Sequence, residues 1–533
     1  MTKYLKKISG TLLPVLMLGL VTVACKKEVD SLDPMRMFTP AGAIQSVSGE
    51  TQVKLTWNPS LYTTASSGVT YTVEVAADTL FATPVLLTVQ TDTSGVVFTD
   101  DQLDARVDYY ARIWANTLGE RPESKPVVSN RFRIRGEQIF ETMFDSDVIE
   151  NAVILKWRES PGLTRIVLTP TAPAGNPIEV PLTEAHVQAR QILIEGLRPS
   201  TAYTAEIFRN NSSKGTRNFT TKAASFAGEV IDLTGITNRP SVLQDTLPQI
   251  PSGSTVLLKR GTRYTISSTV NLDRSVTIMS ANSFNPELAE IYFTSNFNFT
   301  EGSQIDSVVF KSVAMRSDNY SSRYVLNANK AFAVGKIKFE ACHTEIFRGL
   351  VRLQSAGTVV DKFQILNSVV DSLSNYGVLT IDNAGADVKD IVFKNSTFYK
   401  IERFMTSKAP SRSILIENST FSEVPEGGRY LIDYTTSNDV TGGIKVNNSI
   451  FGIGKSAGGN RAVSGIRAGN STLIESGSTH VTSDLEVTSN EIPGVSTYSG
   501  TTFDLFKDPR NGDFTLIDNN FQGRNNAGDP RWR

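Results

Sequence analysis

The sequence predicts an all-β chain in which two β-sandwich modules are followed by a right-handed parallel β-helix. Two observations predict this class. A short phrase, in which alternating apolar residues are followed by Asn-Ser, recurs along the second half of the chain. In the first half, one strand pattern that ends in tryptophan occurs twice, about a hundred residues apart, as expected for two domains of ordinary size.

The recurring phrase reads apolar-x-apolar-x-Asn-Ser-x-apolar. Its clearest copies are residues 391–398 and 414–421, and looser copies lie at 363–370 and 444–451. The Asn positions are separated by 28, 23 and 30 residues, a period typical of a coiled solenoid. Within each copy the apolar residues alternate, so one set faces the core and the other faces outward. The phrase therefore predicts one β-strand per coil, followed by a bend at the Asn.

Stacked coils would place these Asn side chains over one another, with their amides hydrogen-bonded along the stack. The predicted ladder consists of Asn367, Asn395, Asn418 and Asn448. Weaker copies upstream, with Ala or Ser at the ladder position, extend the solenoid to roughly ten coils, at the usual spacing of strands. The ladder, the segment 252–262 and the closing segments 511–514 and 528–532 resemble pectate-lyase-like β-helices.

The N-terminus predicts export and lipidation. Lysines precede a short apolar run from Leu12 to Val23, which is typical of a signal peptide rather than a membrane-spanning helix. Ala24-Cys25 resembles the bacterial lipobox, although Thr22 replaces the usual Leu. The charged residues after Cys25 resemble the tag of Bacteroidetes lipoproteins that are sent to the cell surface. The resemblance implies an outer-membrane protein, lipid-anchored through Cys25 and exposed at the surface.

Two sandwich modules are expected between the anchor and the solenoid. Residues 53–57 and 153–157 are alternating strands that end in Trp57 and Trp157, and the corner at 197–203 ends in Tyr203. These patterns resemble fibronectin type III domains. Trp and Tyr at these positions are expected in the core rather than as sugar platforms. The predicted domains are a signal peptide at 1–24, a lipidated Cys and tether at 25–37, sandwiches at 38–136 and 137–222, a linker at 223–240, and a parallel β-helix at 241–533.

Composition limits the classes of function. The chain has 53 basic and 54 acidic residues, so no excess of positive charge indicates a nucleic-acid partner. It has three histidines, and its two cysteines are Cys25 and Cys342. With Cys25 lipidated, no disulfide can form within the mature chain. No cofactor is predicted and no metal ligands are assigned, with Ca²⁺ left open.

Catalysis is the first alternative to binding. The polygalacturonase-like strings Asn-Thr-Asp, Asp-Asp and Gly-His-Gly with a nearby Arg-x-Lys do not occur together in the coils. The carboxylates that the coils offer, Asp382, Asp387, Asp390 and Asp433, are spread over loops and different strands, and His343 is interpreted as a packing residue. The protein is therefore not expected to be an enzyme. A β-helix polysaccharide lyase or glycoside hydrolase acting on pectin-like polymers stays open as the alternative.

Basic and aromatic residues gather after the ladder strands, where a long polymer could lie. Aromatic faces stack on sugar rings and Arg forks pair with uronate carboxylates. The predicted glycan-binding residues are Arg348, Arg352, Tyr376, Tyr399, Arg403, Arg429 and Tyr430.

The whole pattern resembles Bacteroidetes surface lipoproteins that combine fibronectin type III modules with a β-helix domain in polysaccharide-utilisation systems. That resemblance implies a non-catalytic accessory that binds a polysaccharide, in particular an acidic or pectic one. An outer-membrane glycan transporter is a further partner that it suggests. A structural adhesin without glycan specificity is the second alternative.

Overall fold

The computed structural model of the chain describes residues 35–82, 85–224, 226–435 and 438–533. The predicted signal peptide, the lipidation site Cys25 and most of the predicted tether lie outside the described residues. The chain divides into two compact units. One contains the described residues up to Met143 together with 155–192 and 202–219, and the other contains 144–154, 193–201 and 220–533. The predicted all-β class is confirmed in both units.

The first sandwich has a three-stranded and a four-stranded antiparallel sheet. Their strands are Ala41–Ser48, Gln52–Asn58 and Gly95–Thr99 in one sheet, and Tyr71–Ala76, Leu87–Thr91, Tyr110–Ala115 and Val127–Val128 in the other. In the strand Gln52–Asn58, Val53, Leu55 and Trp57 alternate into the core. Trp57 packs edge-on against Tyr71, with 5.5 Å between the ring centroids. The indole therefore serves packing, as the alternation of this strand predicts.

The second sandwich repeats this plan. Its four-stranded sheet contains Arg165–Ala172, Ile178–Pro181, Ala202–Arg209 and Ser212–Thr220, and its other strands are Ala152–Lys156 and Gln191–Glu195. Trp157 is fully buried and Tyr203 stacks on Phe219, with 5.4 Å between the centroids. A short α-helix, Glu184–Ala189, connects two strands. The two tandem fibronectin-type-III-like sandwiches of the prediction are thus present.

A buried ammonium group joins the two sandwiches. Lys214 of the second sandwich lies with its Nζ 2.9 Å from Oδ2 of Asp100 and 2.7 Å from Oε2 of Glu137. Only 7% of the Lys214 side chain is exposed. Burial alone would raise the pKa of Asp100, but hydrogen bonds from Lys214 and Ser212 outweigh it and lower that pKa. The ammonium thus balances two carboxylates that would otherwise repel each other in a partly desolvated joint.

Replacing Lys214 by Met should destabilise the sandwich unit by about 2 kcal/mol. Removing one partner of a fully buried ion pair costs about 3–5 kcal/mol, and the carboxylate partners of Lys214 are only partly buried. Urea unfolding followed by tryptophan fluorescence measures the change. Arg131→Gln is the matched control, because the 3.2 Å pair of Arg131 with Asp108 is exposed and should contribute little. Equal unfolding midpoints for the two variants would contradict this role of Lys214.

The solenoid is built on a ten-stranded parallel sheet, called sheet A here. Each coil contributes one strand, and the apolar residues of the repeat lie in continuous rows because neighbouring coils pair in register. One row runs through Phe339, Ile365, Phe393 and Ile416, all of them buried. The strands are Val230–Asp232, Ser254–Leu258, Val276–Ser280, Gln304–Lys311, Ala333–Glu340, Val359–Leu366, Asp387–Lys394, Ser413–Glu417, Ile444–Asn447 and Ile474–Gly477. The first strand lies within the segment 223–240 that was predicted as a linker.

The rest of each coil forms a second parallel sheet with two columns of strands. Column B1 follows the ladder bend and column B2 follows a second bend. Two long strands, His343–Leu353 and Val369–Ile381, cross that second bend and belong to both columns. The other B1 strands are Arg263–Ile266, Ala289–Phe293, Val313–Ser317, Thr397–Tyr399, Thr420–Ser422, Ile450–Phe451, His480–Thr482 and Ser496–Tyr498. The other B2 strands are Val270–Leu272, Phe297–Phe299, Tyr324–Ala328, Met405–Ser407, Tyr430–Tyr434, Val463–Arg467 and Val487–Ser489.

Two hydrogen-bonded ladders mark the bend between sheet A and column B1. Asn395 donates from Nδ2 to Oδ1 of Asn367 at 3.0 Å, and Asn418 donates to Asn395 at 3.1 Å. These residues and Asn448 have φ between 48° and 52°, a left-handed conformation that Asn tolerates. The serines that follow form a second, buried ladder, in which the Ser368 amide donates to Oγ of Ser396 at 3.1 Å.

Cys342 takes the place of a serine in this second ladder. Its amide donates to Oγ of Ser368 at 3.0 Å, and its Sγ lies 3.3 Å from the carbonyl oxygen of Phe310. Burial raises the pKa of the Cys342 thiol to about 12. The thiol is therefore protonated and serves packing.

Short helices and a hairpin complete the solenoid unit. The α-helices are Val242–Thr246 and Thr502–Leu505, and a hairpin is formed by Phe506–Asp508 and Asp513–Leu516. In both units the 3₁₀ turns are Ala65–Ser67, Asp145–Asp147, Leu247–Gln249, Pro509–Asn511 and Pro530–Trp532. Among the residues that the structure describes, no helix has the length and apolar character needed to cross a membrane.

Candidate functional site

Column B2 carries a row of polar side chains that crosses five coils. Strand register places Arg352, Thr380, Thr406, Asp433 and Arg467 side by side. Neighbouring coils are separated by about 4.8 Å, the usual distance between paired strands. The row alternates with core residues along each strand, so it lies on the outer side of the column. Arg352, Asp433 and Arg467 are partly exposed there, whereas Thr380 and Thr406 are covered. We call this row and the side chains at the bend before it the B2 face.

Tyr376 lies at the centre of the B2 face, and arginines cover its ring. The guanidinium carbons of Arg348 and Arg352 lie 4.5 Å and 4.2 Å from the ring centroid. Buried Tyr324 packs against the ring edge-on, at 5.6 Å. Burial raises the pKa of Tyr324, although the two neighbouring guanidiniums oppose the shift. Tyr376 therefore holds two cations in place by cation–π contact, rather than offering a bare ring to a sugar.

Tyr430 is arranged in the same way. The guanidinium of Arg467 lies 4.4 Å from the centroid of its ring, and Arg467 also donates to Oδ1 of Asp433 at 2.7 Å. The glycan-binding residues predicted from the sequence include Tyr430 but not Arg467. Arg467 could have been found by extending the row on column B2 by one coil, since it is the register partner of Asp433. This coil is longer than its neighbours, so the usual coil period does not lead from Asp433 to Arg467.

Part of the positive charge on the B2 face is neutralised between coils. Asp382 binds the guanidinium of Arg352, and its other oxygen lies 2.7 Å from Nζ of Lys408. Burial would raise the pKa of Asp382, but the hydrogen bonds from Lys408 and Arg352 outweigh it and lower that pKa. Asp382 is therefore ionised near neutral pH, and it orients two of the cations.

Arg403 is the exception to this pairing. Among the described residues no carboxylate lies within ion-pair distance of its guanidinium. Within the described residues, its guanidinium makes one hydrogen bond, a weak one of 3.4 Å to Oγ1 of Thr406. Burial, followed by the nearby charge of Arg429, lowers the pKa of Arg403. A half-buried guanidinium of this kind can donate hydrogen bonds to a carboxylate of a ligand.

Two further guanidiniums at the same bend have no close ion-pair partner among the described residues. Arg348 donates to Oδ1 of Asn375 at 3.2 Å, and Arg429 lies 3.8 Å from Oε2 of Glu426. Each can turn toward a ligand without breaking a strong ion pair. The B2 face therefore presents three available cations. Arg348 and Arg403 lie on the coils to either side of Tyr376, and Arg429 lies on the coil after Arg403.

Tyr399 is not part of the B2 face. Its strand, Thr397–Tyr399, belongs to column B1, where Tyr399 pairs in register with Asp371. The ring packs against Phe514 of the C-terminal segment, with 5.4 Å between the centroids. Burial, followed by the charge of Asp371, raises the pKa of the Tyr399 hydroxyl. The other six predicted glycan-binding residues lie together, and Tyr399 lies apart from them.

Comparisons with known proteins concern the two parts of the chain separately. Residues 262–401 match the model of a family described as "Domain of unknown function (DUF4957)", and residues 414–532 match "Domain of unknown function (DUF5123)". Both segments belong to the solenoid, and Arg403 lies in the short stretch between them. No curated protein matches the chain.

Several solved structures are similar to the N-terminal part. A two-domain fibronectin type III segment of chicken tenascin is 16% identical, covers 35% of this chain and 99% of its own, and has a TM-score of 0.19. The FN1–FN3 domains of chicken CNTN1 are 15% identical, with coverage of 35% and 66% and a TM-score of 0.14. The chicken interferon gamma receptor alpha chain is 14% identical, with coverage of 34% and 98% and a TM-score of 0.17.

Proposed function

We propose that this protein binds an acidic polysaccharide on the B2 face and does not cleave it. In this proposal, the chain is a surface lipoprotein of the outer membrane, anchored through Cys25, and it serves a glycan-utilisation system. The single observation that carries the binding site is Arg403, a half-buried guanidinium that none of the described carboxylates neutralises. A uronate carboxylate is the planar anion that fits such a fork.

The arrangement of the B2 face suits a polymer better than a small molecule. The available cations lie along one column of coils. Arg348 lies two coils before Arg403 and Arg429 lies one coil after it, so they recur at multiples of the strand spacing. A chain of uronates laid across the coils could meet Arg348, Arg403 and Arg429 in turn. Because the arginines over Tyr376 and Tyr430 occupy ring faces, recognition would depend on charge more than on stacking. The expected ligand is therefore acidic rather than neutral.

The state of the carboxylates favours binding over hydrolysis. A glycosidase needs one carboxyl group that stays protonated to donate to the leaving oxygen. Asp382 is held ionised by Arg352 and Lys408, and Asp433 binds Arg467. Asp382 therefore does not suit the role of that acid, and Asp433 is engaged with Arg467. This supports a non-catalytic role for the B2 face.

The test is affinity electrophoresis of the full chain, purified in detergent, through gels that contain polygalacturonan, arabinan, xylan or starch. We expect retardation in polygalacturonan alone, weakening as salt is added because the contacts are ionic. Arg403→Gln should reduce the affinity about tenfold, the effect of losing one charge-assisted hydrogen bond.

Arg263→Gln is the matched control. Arg263 lies on column B1, away from the B2 face, where Tyr292 at 4.5 Å and Glu290 hold its guanidinium, so its replacement removes one arginine charge outside the proposed site. Equal retardation of the two variants would contradict the site. Migration unchanged in every gel would contradict glycan binding. New unsaturated or reducing ends in the polymer would replace the proposal by the lyase or hydrolase alternative.

A further inference from the structure

A second cluster lies on column B1, separate from the B2 face. His343 and Glu345 are two residues apart on one strand and therefore share a face. The next coil places Asp371 beside Glu345 in register. One ligand atom from each of the three side chains lies within 4.8 Å of the others. Among the described residues, this is the only group of three His, Cys, Asp or Glu side chains that is so compact.

The distance between His343 and Asp371 fits a shared metal ion better than a hydrogen bond. Nε2 of His343 lies 3.4 Å from Oδ2 of Asp371. A charge-assisted hydrogen bond between such groups is normally about 2.7–2.9 Å long. Two ligands of one tetrahedral ion, each bound at about 2.1 Å, are separated by about 3.4 Å. The two side chains are thus already at the separation that one ion would require.

The surroundings of the cluster also favour a cation. Glu345 and Asp371 are adjacent carboxylates on paired strands, an arrangement that like charges disfavour. Arg316 of the preceding coil binds Oε1 of Glu345 and orients it, which leaves Oε2 for a ligand. Asp371 is buried, with only 6% of its side chain exposed. Besides His343, it is contacted by the hydroxyls of Ser372 and Tyr399, which hold this buried carboxylate beside the cluster without adding a cation.

We propose that His343, Glu345 and Asp371 form a zinc site on column B1. One imidazole nitrogen and two carboxylates suit Zn²⁺, whereas Ca²⁺ selects oxygen ligands alone. Three protein ligands leave a fourth position for water or for a donor atom of another molecule. The site is open to solvent, since 45% of the His343 side chain is exposed. This proposal is independent of glycan binding on the B2 face.

The test is calorimetric titration of the full chain with ZnCl₂, after EDTA treatment and without a histidine tag. We expect one Zn²⁺ per chain and a melting temperature that rises with zinc, because an ion that binds only the folded state stabilises it. His343→Ala should weaken binding at least a hundredfold, and Glu345→Gln at least tenfold. Titration with CaCl₂ should give no saturable heat.

His186→Ala is the control, because His186 lies on the surface of the second sandwich. It should bind zinc as the unaltered chain does. His343 is half-exposed, so His343→Ala should fold, and Asp371→Asn provides a second variant of nearly equal shape. The proposal is overturned if the chain takes up no zinc, if the site variants bind it like the control, or if calcium binds there in place of zinc.

Discussion

Gly377→Ala is expected to destabilise the solenoid by more than 4 kcal/mol or to prevent its folding. Gly377 has φ +57°, and a Cβ on it would lie 1.7 Å from the carbonyl oxygen of Arg403 on the next coil. It would also lie 2.9 Å from the carbonyl oxygen of Phe404, which accepts a hydrogen bond from the Val378 amide. Relief of this overlap requires two paired coils to separate. Losses of this size are exceptional and follow from such backbone conflicts.

A matched control separates the clash from the backbone conformation. Gly357 also has a positive φ, +77°, but the nearest atom to its Cβ would be Cβ of Ala331 at 3.8 Å. Gly357→Ala should therefore cost only about 1–2 kcal/mol, the penalty of an L-residue in the left-handed region. Urea unfolding followed by circular dichroism compares the two variants. Similar midpoints would show that the close approach of Gly377 to Arg403 is not required.

The result also bears on the B2 face. Because the carbonyl group of Arg403 lies directly beside Gly377, any variant at Gly377 that does fold should shift Arg403. Such a variant should bind polygalacturonan less well than Gly357→Ala does. Because Gly377 has no side chain, the backbone of Arg403 can approach it closely, and this fixes the position of Arg403 on the B2 face.

The solenoid was predictable because its signal is local and repeated. The phrase around Asn395 contains the strand, the bend and the buried serine in eight consecutive residues, and the same order recurs in other coils. Each copy specifies its own alternation, and stacking follows from the repetition. The sandwiches were predictable for a similar reason, since Trp57 and Trp157 end strands with the same alternating pattern.

The B2 face was only partly predictable, because its contacts join different coils. Arg348 and Tyr376 are 28 residues apart, so no local motif contains both, although the coil period relates them. Tyr399 was grouped with Arg403 because both follow the ladder residue Asn395. Tyr399 comes four residues after it, on column B1, and Arg403 comes eight residues after it, past the second bend. Counting from the ladder residue assigns a side chain to its column.

The pairing of His343 with Asp371 was not predicted from the sequence, for the same reason. They are 28 residues apart, one coil length, and neither lies in a string that is typical of metal ligands. Metal motifs in sequences are usually recognised by short spacings on one element. In a solenoid, the equivalent of a short spacing is one coil, because register places such residues side by side.

Phe393→Ala is the other substitution with a large expected effect, about 4 kcal/mol. Phe393 is fully buried at the centre of sheet A, and its ring lies 4.8 Å from Phe404 and 5.7 Å from Phe398, centroid to centroid. Truncation of a buried Phe costs about 3–5 kcal/mol, through lost burial and the cavity left behind. Loss of the two aromatic contacts adds to this. The measurement is the midpoint of urea unfolding.

The position of the coil should matter as much as the size of the cavity. In a solenoid each coil contacts only its neighbours, so a weak central coil interrupts the cooperative stack, whereas a weak terminal coil frays alone. Phe503→Ala is the control, because Phe503 is exposed, and it should cost less than about 0.5 kcal/mol. Phe393→Leu should recover most of the stability, since it keeps most of the buried apolar volume. A cost below about 1.5 kcal/mol for Phe393→Ala would mean that the coils yield around the cavity, and that the solenoid core is not close-packed at its centre.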